Sequence, residues 1–288
     1  MTLRWGIVTS GKISHDFVNA FNSYPDVGDQ VIAAVAARDK SRAEEFGKIH
    51  KIGKVFDSYD DMATSNDIDV AYIGALNPDH YRLAKLFLES GKHGKLGDVQ
   101  FVEVNFGILI ANVDRLRKKD LGGSAILDIG IYALQFAQFV FKEEPIKVTA
   151  VGELNDEGVD AVDTVVLEYS GGRRAVLNIH SKVKLWNKAT VYGSSGRATV
   201  EDPFNFPNTL IHVDGKVEEF PLHTSSLSYN FTNSAGLVYE AVEVACCIRK
   251  GVIESSRMTH QESLVLAKLM DTVRTQVGVH FDVDDKEY

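Results

Sequence analysis

Residues 4–21 read RWGIVTSGKISHDFVNAF, and their pattern decides the fold. Trp5 to Val8 is an apolar run of strand length. A turn of small residues, Thr9-Ser10-Gly11, follows it, and an amphipathic helix begins at Lys12. Strand, small-residue turn and helix form the opening of a nucleotide-binding βαβ unit. Small residues let the backbone approach a pyrophosphate, and the free N–H groups of a helix start attract the anion. The glycines are Gly6 and Gly11, with Ser10 where a full G-x-G-x-x-G would carry another. Taken alone, this pattern also fits an ordinary βα loop, so the rest of the chain has to decide.

Working outward, Gln30 to Ala37 is a second apolar run of strand length, and Lys40 to Lys48 reads as a helix. Val55-Phe56 is a short strand. Ser58 is an N-cap, with Asp60 and Asp61 in the first turn of the helix that follows. Asp69 to Ala75 is expected as another buried strand. Asn77-Pro78-Asp79-His80 then turns into a helix, Tyr81 to Glu89, ended by Gly91. This alternation is that of a parallel, doubly wound sheet, and it defines a Rossmann-like domain over residues 1–93.

At residue 94 the rhythm breaks. Another buried parallel strand is due, but Gly94-Lys95-Leu96-Gly97-Asp98 is polar and turn-like. Val99 to Phe106 then alternates apolar with polar, as a half-solvated antiparallel strand does. The first domain therefore reads as truncated. Residues 94–288 are expected to form an α+β domain with a large open, mostly antiparallel sheet. Its strands cover Ile146–Leu154, Asp163–Tyr169, Arg174–Lys182, Lys188–Tyr192, Ala198–Glu201, Thr209–Val213 and Lys216–Phe220. Hairpin turns fall at Ser170-Gly171-Gly172 and Asp214-Gly215. Helices cover Ala125–Phe141, Ala235–Lys250 and His260–Gln276, the last two stopped by Gly251 and Gly278. The chain is α/β overall.

Composition limits the partners. The 288 residues carry a net charge of −9, with 44% hydrophobic and 25% charged residues. An acidic chain without a basic, aromatic-laced stripe is not expected to bind nucleic acid or an anionic membrane. Cys246 and Cys247 are adjacent and point to different helix faces, which fits a reducing compartment. A strand beginning at residue 4, and no apolar run near 18 residues, lead to the expectation of a cytoplasmic protein. The nine histidines show no ligand spacing, so no metal site is expected.

Three further stretches carry chemistry. Arg38 ends the second strand, where a dinucleotide fold meets the adenosine ribose. An acid there suits the 2′-hydroxyl of NAD, and an arginine suits the 2′-phosphate of NADP. Arg38, with Arg42 one turn later, favours NADP, although both also read as solvated helix-start residues. Asn77 and His80 lie at the carboxyl end of the fourth strand, where ligands sit in open α/β sheets; a turn plus helix cap fits them equally. Asp128 and Tyr132, four apart, share one face of an apolar helix. A tyrosine hydroxyl beside a substrate alcohol can pass a proton while hydride moves to nicotinamide. A helix cap plus a core tyrosine is the other reading.

As a whole the chain resembles the Gfo/Idh/MocA oxidoreductase family. The resemblance is carried by RWGIVTSGKIS, AVAARDKSRAEEF, YIGALNPDHY, KLGDVQFVEVNFG, GGSAILDIGIYALQFAQFVF and the C-terminal GLVYEAVEVACCIRKGVIESSRMTHQESLVLAKLMDTVRTQVG. It implies a Rossmann domain, a second domain whose open sheet often packs on another subunit as a homodimer, and hydride transfer between NADP and a small-molecule substrate. That substrate would be a trans-dihydrodiol or a pyranose sugar of the xylose type. By motif, Ser10, Gly11, Lys12 and Ile13 match the dinucleotide loop, Arg38 and Arg42 the phosphate side, Asn77 and His80 the strand-four turn, and Asp128 and Tyr132 the substrate side. The departure is the family's Glu-Lys-Pro motif, whose lysine is central to catalysis. Here Gly91-Lys92-His93 runs straight into Gly94-Lys95-Leu96-Gly97, and no Glu-Lys-Pro occurs. A strand–helix–strand unit of roughly 30 residues is missing at that point. The explanations are a skipped exon, a shortened paralogue that binds nucleotide without chemistry, or replacement of the lysine by Lys92 or Lys95.

Overall fold

The computed structural model describes residues 2–37, 39–73, 96–223 and 227–285. The chain divides into two compact units. One takes in residues 1–79 and 221–255, and the other residues 80–220 and 256–288. Residues 221–255, read above as part of the second domain, pack in the first unit.

The first unit is built on a parallel sheet in the order β3-β2-β1-β4. Its strands are β1 (Leu3–Val8), β2 (Gln30–Ala36), β3 (Lys54–Phe56) and β4 (Val70–Ile73). Helices α1 (Lys12–Ser23), α2 (Lys40–His50) and α3 (Tyr59–Thr64) connect them. α1 forms because its apolar residues recur on one face: Phe17, Val18, Ala20 and Phe21 are buried. Phe17 stacks flat on Tyr72 of β4 at 3.7 Å between ring centres. Trp5 of β1 packs against Phe17 and gives its indole N–H to Gln30 of β2 at 3.0 Å. Arg4 pairs with Asp69 through both guanidinium and backbone N–H, which ties β1 to the start of β4. α5 (Val238–Arg249) adds Val238, Ala241 and Ala245 to the same core. The reason residues 221–255 belong here is Asp16. It is fully buried on α1 and accepts hydrogen bonds from Asn230 N (2.7 Å), Asn230 Nδ2 (2.9 Å) and Phe231 N (2.9 Å). Strand β4 was expected to be buried, yet only Tyr72 in it is, and Ile73 is 65% exposed. Among the described residues no strand pairs with its outer edge.

The second unit holds an eight-stranded sheet in the order β12-β11-β10-β9-β5-β8-β7-β6. These are β5 (Val99–Gly107), β6 (Lys147–Leu154), β7 (Asp160–Glu168), β8 (Arg174–His180), β9 (Lys188–Gly193), β10 (Gly196–Val200), β11 (Thr209–Ile211) and β12 (Val217–Glu219). All pairs are antiparallel except β5 with β8, so β5 runs parallel to one neighbour and antiparallel to the other. Alternation in each strand sends Val102, Val104, Phe106, Val165, Leu167, Leu177, Ile179 and Val191 into one core. Two helices cover it: α4 (Ile131–Phe141), preceded by a π turn over Ile126–Gly130, and α6 (His260–Val277). α6 starts with a capping box: Thr259 Oγ1 accepts from Glu262 N, and the Glu262 carboxylate accepts from Thr259 N at 2.8 Å. The stretch Lys119–Phe141 is long and apolar enough by length and composition to cross a membrane, and 72% of its apolar 18-residue window is buried. Its apolar surface is spent on the sheet. The opposite face of the sheet carries a ladder of polar side chains. Thr164 donates to Asn178, Asn178 to Asn105, Asn105 to Glu103, and Tyr192 OH also donates to Glu103.

Candidate functional site

The turn after β1 is strained. Thr9 sits at φ 86°, a left-handed conformation that costs a β-branched residue about 1–3 kcal/mol. Its amide donates to Ala36 O at 2.9 Å, which ties the turn to the end of β2. Its hydroxyl lies 3.0 Å from that of Ser14, which is fully buried. The residue standing in a glycine position is therefore Thr9, not Ser10 as the glycine spacing suggested. Gly6 has a different job as well. A Cβ there would meet Ile68, in the loop before β4, at 2.8 Å and Met62 of α3 at 3.1 Å, so its smallness serves packing inside the unit.

Gly11 is the N-cap of α1, in extended backbone and without any side-chain cap. A Cβ on Gly11 would meet only the Thr9 hydroxyl, at 4.0 Å. Among the described residues no side chain caps the first amides of α1, and its first turn holds no acidic residue. Uncapped N–H groups, a positive helix end and room for an anion fit a pyrophosphate. Ser10 and Ile13 are half-buried beside this turn, and Gly11 and Lys12 are exposed.

On the phosphate side, Arg42 is exposed in the first turn of α2. Asp39, which sequence reading passed over, is the N-cap: its carboxylate accepts from Ser41 N (2.9 Å), Ser41 Oγ (2.7 Å) and Arg42 N (3.4 Å). Those bonds, the Ser41 hydroxyl first, hold its acidity stronger than an ordinary aspartate's. The acid near the end of β2 is thereby occupied by its own helix. Arg38, Asn77 and His80 lie outside the described residues.

In the second unit, the Asp128 carboxylate accepts from Arg115 Nη2 at 2.9 Å and is 25% exposed on its side chain. Tyr132 stands edge-on to Phe106, 5.7 Å between centres at 89°, half-buried at the margin of the core. Asp128 lies within the π turn and Tyr132 at the start of α4, so the pair spans a helix irregularity of the sort often found at functional sites. Arg115 was not singled out from the sequence, because thirteen residues and a turn separate it from Asp128. Also missed were Asp160 and Asp163, both fully buried near this helix start. Their trace in the sequence is two aspartates inside a strand that is otherwise apolar at its core-facing positions. Among the described residues no group of three or more potential metal ligands comes together.

Comparison with known proteins agrees with this geometry. Residues 3–94 match the oxidoreductase family with an NAD-binding Rossmann fold, and residues 81–199 match the GFO/IDH/MocA C-terminal domain. The chain is 36% identical over 336 aligned positions to a trans-1,2-dihydrobenzene-1,2-diol dehydrogenase of Danio rerio, spanning 99% of this chain and 100% of that one. The human protein of that name is 34% identical with the same coverage. An oxidoreductase from Agrobacterium radiobacter, solved with NAD+, L-tartaric acid and magnesium, shares the fold at a TM-score of 0.76 and 14% identity, covering 96% of both chains. The chain belongs to the Gfo/Idh/MocA oxidoreductase family, with a NAD(P)-binding Rossmann domain and dihydrodiol dehydrogenase homologues.

Proposed function

We propose that this chain binds NADP in its N-terminal unit and descends from a dehydrogenase acting on a trans-dihydrodiol or a xylose-like pyranose, while lacking the lysine that completes hydride transfer. The observation that carries the nucleotide reading is the start of α1, without a side-chain cap, behind the strained Thr9 turn. Ser10, Gly11, Lys12 and Ile13 hold the pyrophosphate through backbone amides. Arg38 and Arg42 face the 2′-phosphate, a reading supported by Asp39 being engaged as a helix cap. Asn77 and His80 take the ribose and nicotinamide side. Bound NADP supplies the hydride acceptor. Tyr132 holds the proton of the substrate hydroxyl, and Asp128, with Arg115 beside it, orients the alcohol.

Two observations support the loss. An alignment of 336 positions that takes in 99% of a 288-residue chain leaves about 50 positions without a residue here. Residues 81–94 are matched by both family domains at once, which supports a short junction between them. These favour a second reading beside the first, in which the chain is a non-catalytic nucleotide-binding paralogue or an exon-skipped product. The resemblance supports a homodimer through the open face of the second sheet. NADPH fluorescence titration beside turnover of xylose and a dihydrodiol tests the proposal. Tighter binding of NADPH than NADH, weakened by Arg42→Ala, with turnover at background, is expected. Robust turnover overturns the claimed loss, and equal affinity for both cofactors overturns NADP.

A further inference from the structure

Asp160 and Asp163 lie on β7 and are 0% and 1% exposed. Strict alternation would send residues 160 and 163 to opposite faces. A register shift in the β6–β7 pairing, where Glu153 faces Val162 but Leu154 faces Asp160, leaves Ala161 over. This bulge turns both aspartates to the core side. There Asp160 Oδ2 accepts a 2.6 Å hydrogen bond from the amide of Ile126, the first residue of the π turn. The other oxygen of Asp160 and both oxygens of Asp163 have no conventional donor. The two carboxyls are within hydrogen-bonding reach of each other. Two charged carboxylates cannot share a buried site without a cation, so one must hold a proton.

We propose that Asp160 and Asp163 form a one-proton carboxyl pair that positions the helix start bearing Asp128 and Tyr132, with Asp160 the anion that caps Ile126 and Asp163 the acid that donates to Asp160. The assignment of the charge follows from the helix. An anion is favoured at a helix N-terminus, where Asp160 sits and where the Ser124 hydroxyl accepts from Leu127 N as a second cap. Burial first, and then Asp160, drive the Asp163 carboxyl far above the usual carboxylate range, to about 9. The ionisable side chains on neighbouring elements are otherwise engaged. Asp128 pairs with Arg115, Glu153 of β6 with Lys182, and Arg274 of α6 with Asp271 and Asp284. His180 of β8 accepts through Nδ1 from the amides of Lys182 and Val183. Lys147 of β6 and Arg174 of β8 both pair with Glu168. The nearest atoms above Gly152 are Asp163 Oδ1, Val277 and the Val162 carbonyl, so β6 and α6 offer the pair apolar or backbone surface there. The pair moves no atom of a substrate, and it holds whether or not the chain turns over.

The test is infrared spectroscopy with a stability profile, neither of which needs activity. The full chain at neutral pH should show a protonated-carboxyl stretch that fades on titration toward pH 9 and is absent from Asp163→Asn. The native state retains a proton that the unfolded chain releases between about pH 4 and 9. In that window folding of the wild type should therefore weaken with rising pH, by up to about tenfold per unit relative to Asp163→Asn, which donates to Asp160 at every pH. Absence of the band from the wild type, or parallel stability curves for the two proteins, overturns the proposal. Should Asp163→Asn fail to fold, the wild-type band and its titration decide alone, and Asp160→Asn should lower the midpoint by removing the neighbouring charge.

Discussion

The two sheets of this protein end differently. In the second unit eight strands bury one face under α4 and α6, and a ladder of hydrogen-bonded polar side chains crosses the other. In the first unit, among the described residues, the parallel sheet has four strands, with Ile73 65% exposed on its outer strand β4. A parallel strand is normally buried on both faces. The first unit also takes in residues 221–255, held through buried Asp16.

The contrast can be broken from either side, and the largest effect should come from the complete core. Leu177→Ala leaves a cavity at a residue 0% exposed and should cost about 2–5 kcal/mol, read as faster hydrogen exchange in β5, β7 and β8. Asp16→Ala strips a buried acceptor from three donors and should cost about 3 kcal/mol. Its signature is loss of protection in residues 228–249 with β5–β9 unchanged. A smaller effect belongs to His50. Its Nε2 lies 2.8 Å from His15 Nδ1, and Asn19 Nδ2 lies 3.0 Å from His15 Nε2. Burial first, and then His15, lower His50 to about 4. The unfolded chain binds that proton near 6.5 and the folded one only near 4. This contribution is therefore complete above pH 6.5 and is lost as pH falls toward 4, by up to about 1.4 kcal/mol per unit. His50→Gln should flatten the acid limb of a denaturation profile. Smallest is Asp39→Ala, which removes the cap of α2 and should cost about 1 kcal/mol, visible as a lowered melting temperature.

Most of the fold is legible in the chain, because strand alternation and helix punctuation are local. β6 to β12 fall within two or three residues of their expected places, and Gly251 and Gly278 follow α5 and α6 at φ 67° and 97°. The return of residues 221–255 is not legible, since Asp16 and Asn230 are 214 positions apart. At the candidate site, Ser10, Gly11 and Lys12 can be picked out because a glycine-rich turn between strand and helix is a local signal. Thr9 escapes, because its residue type argues against the conformation its backbone adopts. The Asp128–Arg115 contact and the Asp160–Asp163 pair depend on a π turn and a β-bulge, irregularities that periodicity does not encode.

By itself, then, the sequence determined the α/β class and the family, since both rest on local pattern or on motif. Tertiary structure decided which residue bears the strain in the phosphate turn, what caps the helix of Asp128 and Tyr132, and which unit the chain's return joins. Those outcomes depend on buried polar groups finding partners far along the chain, and no local spacing specifies such partners.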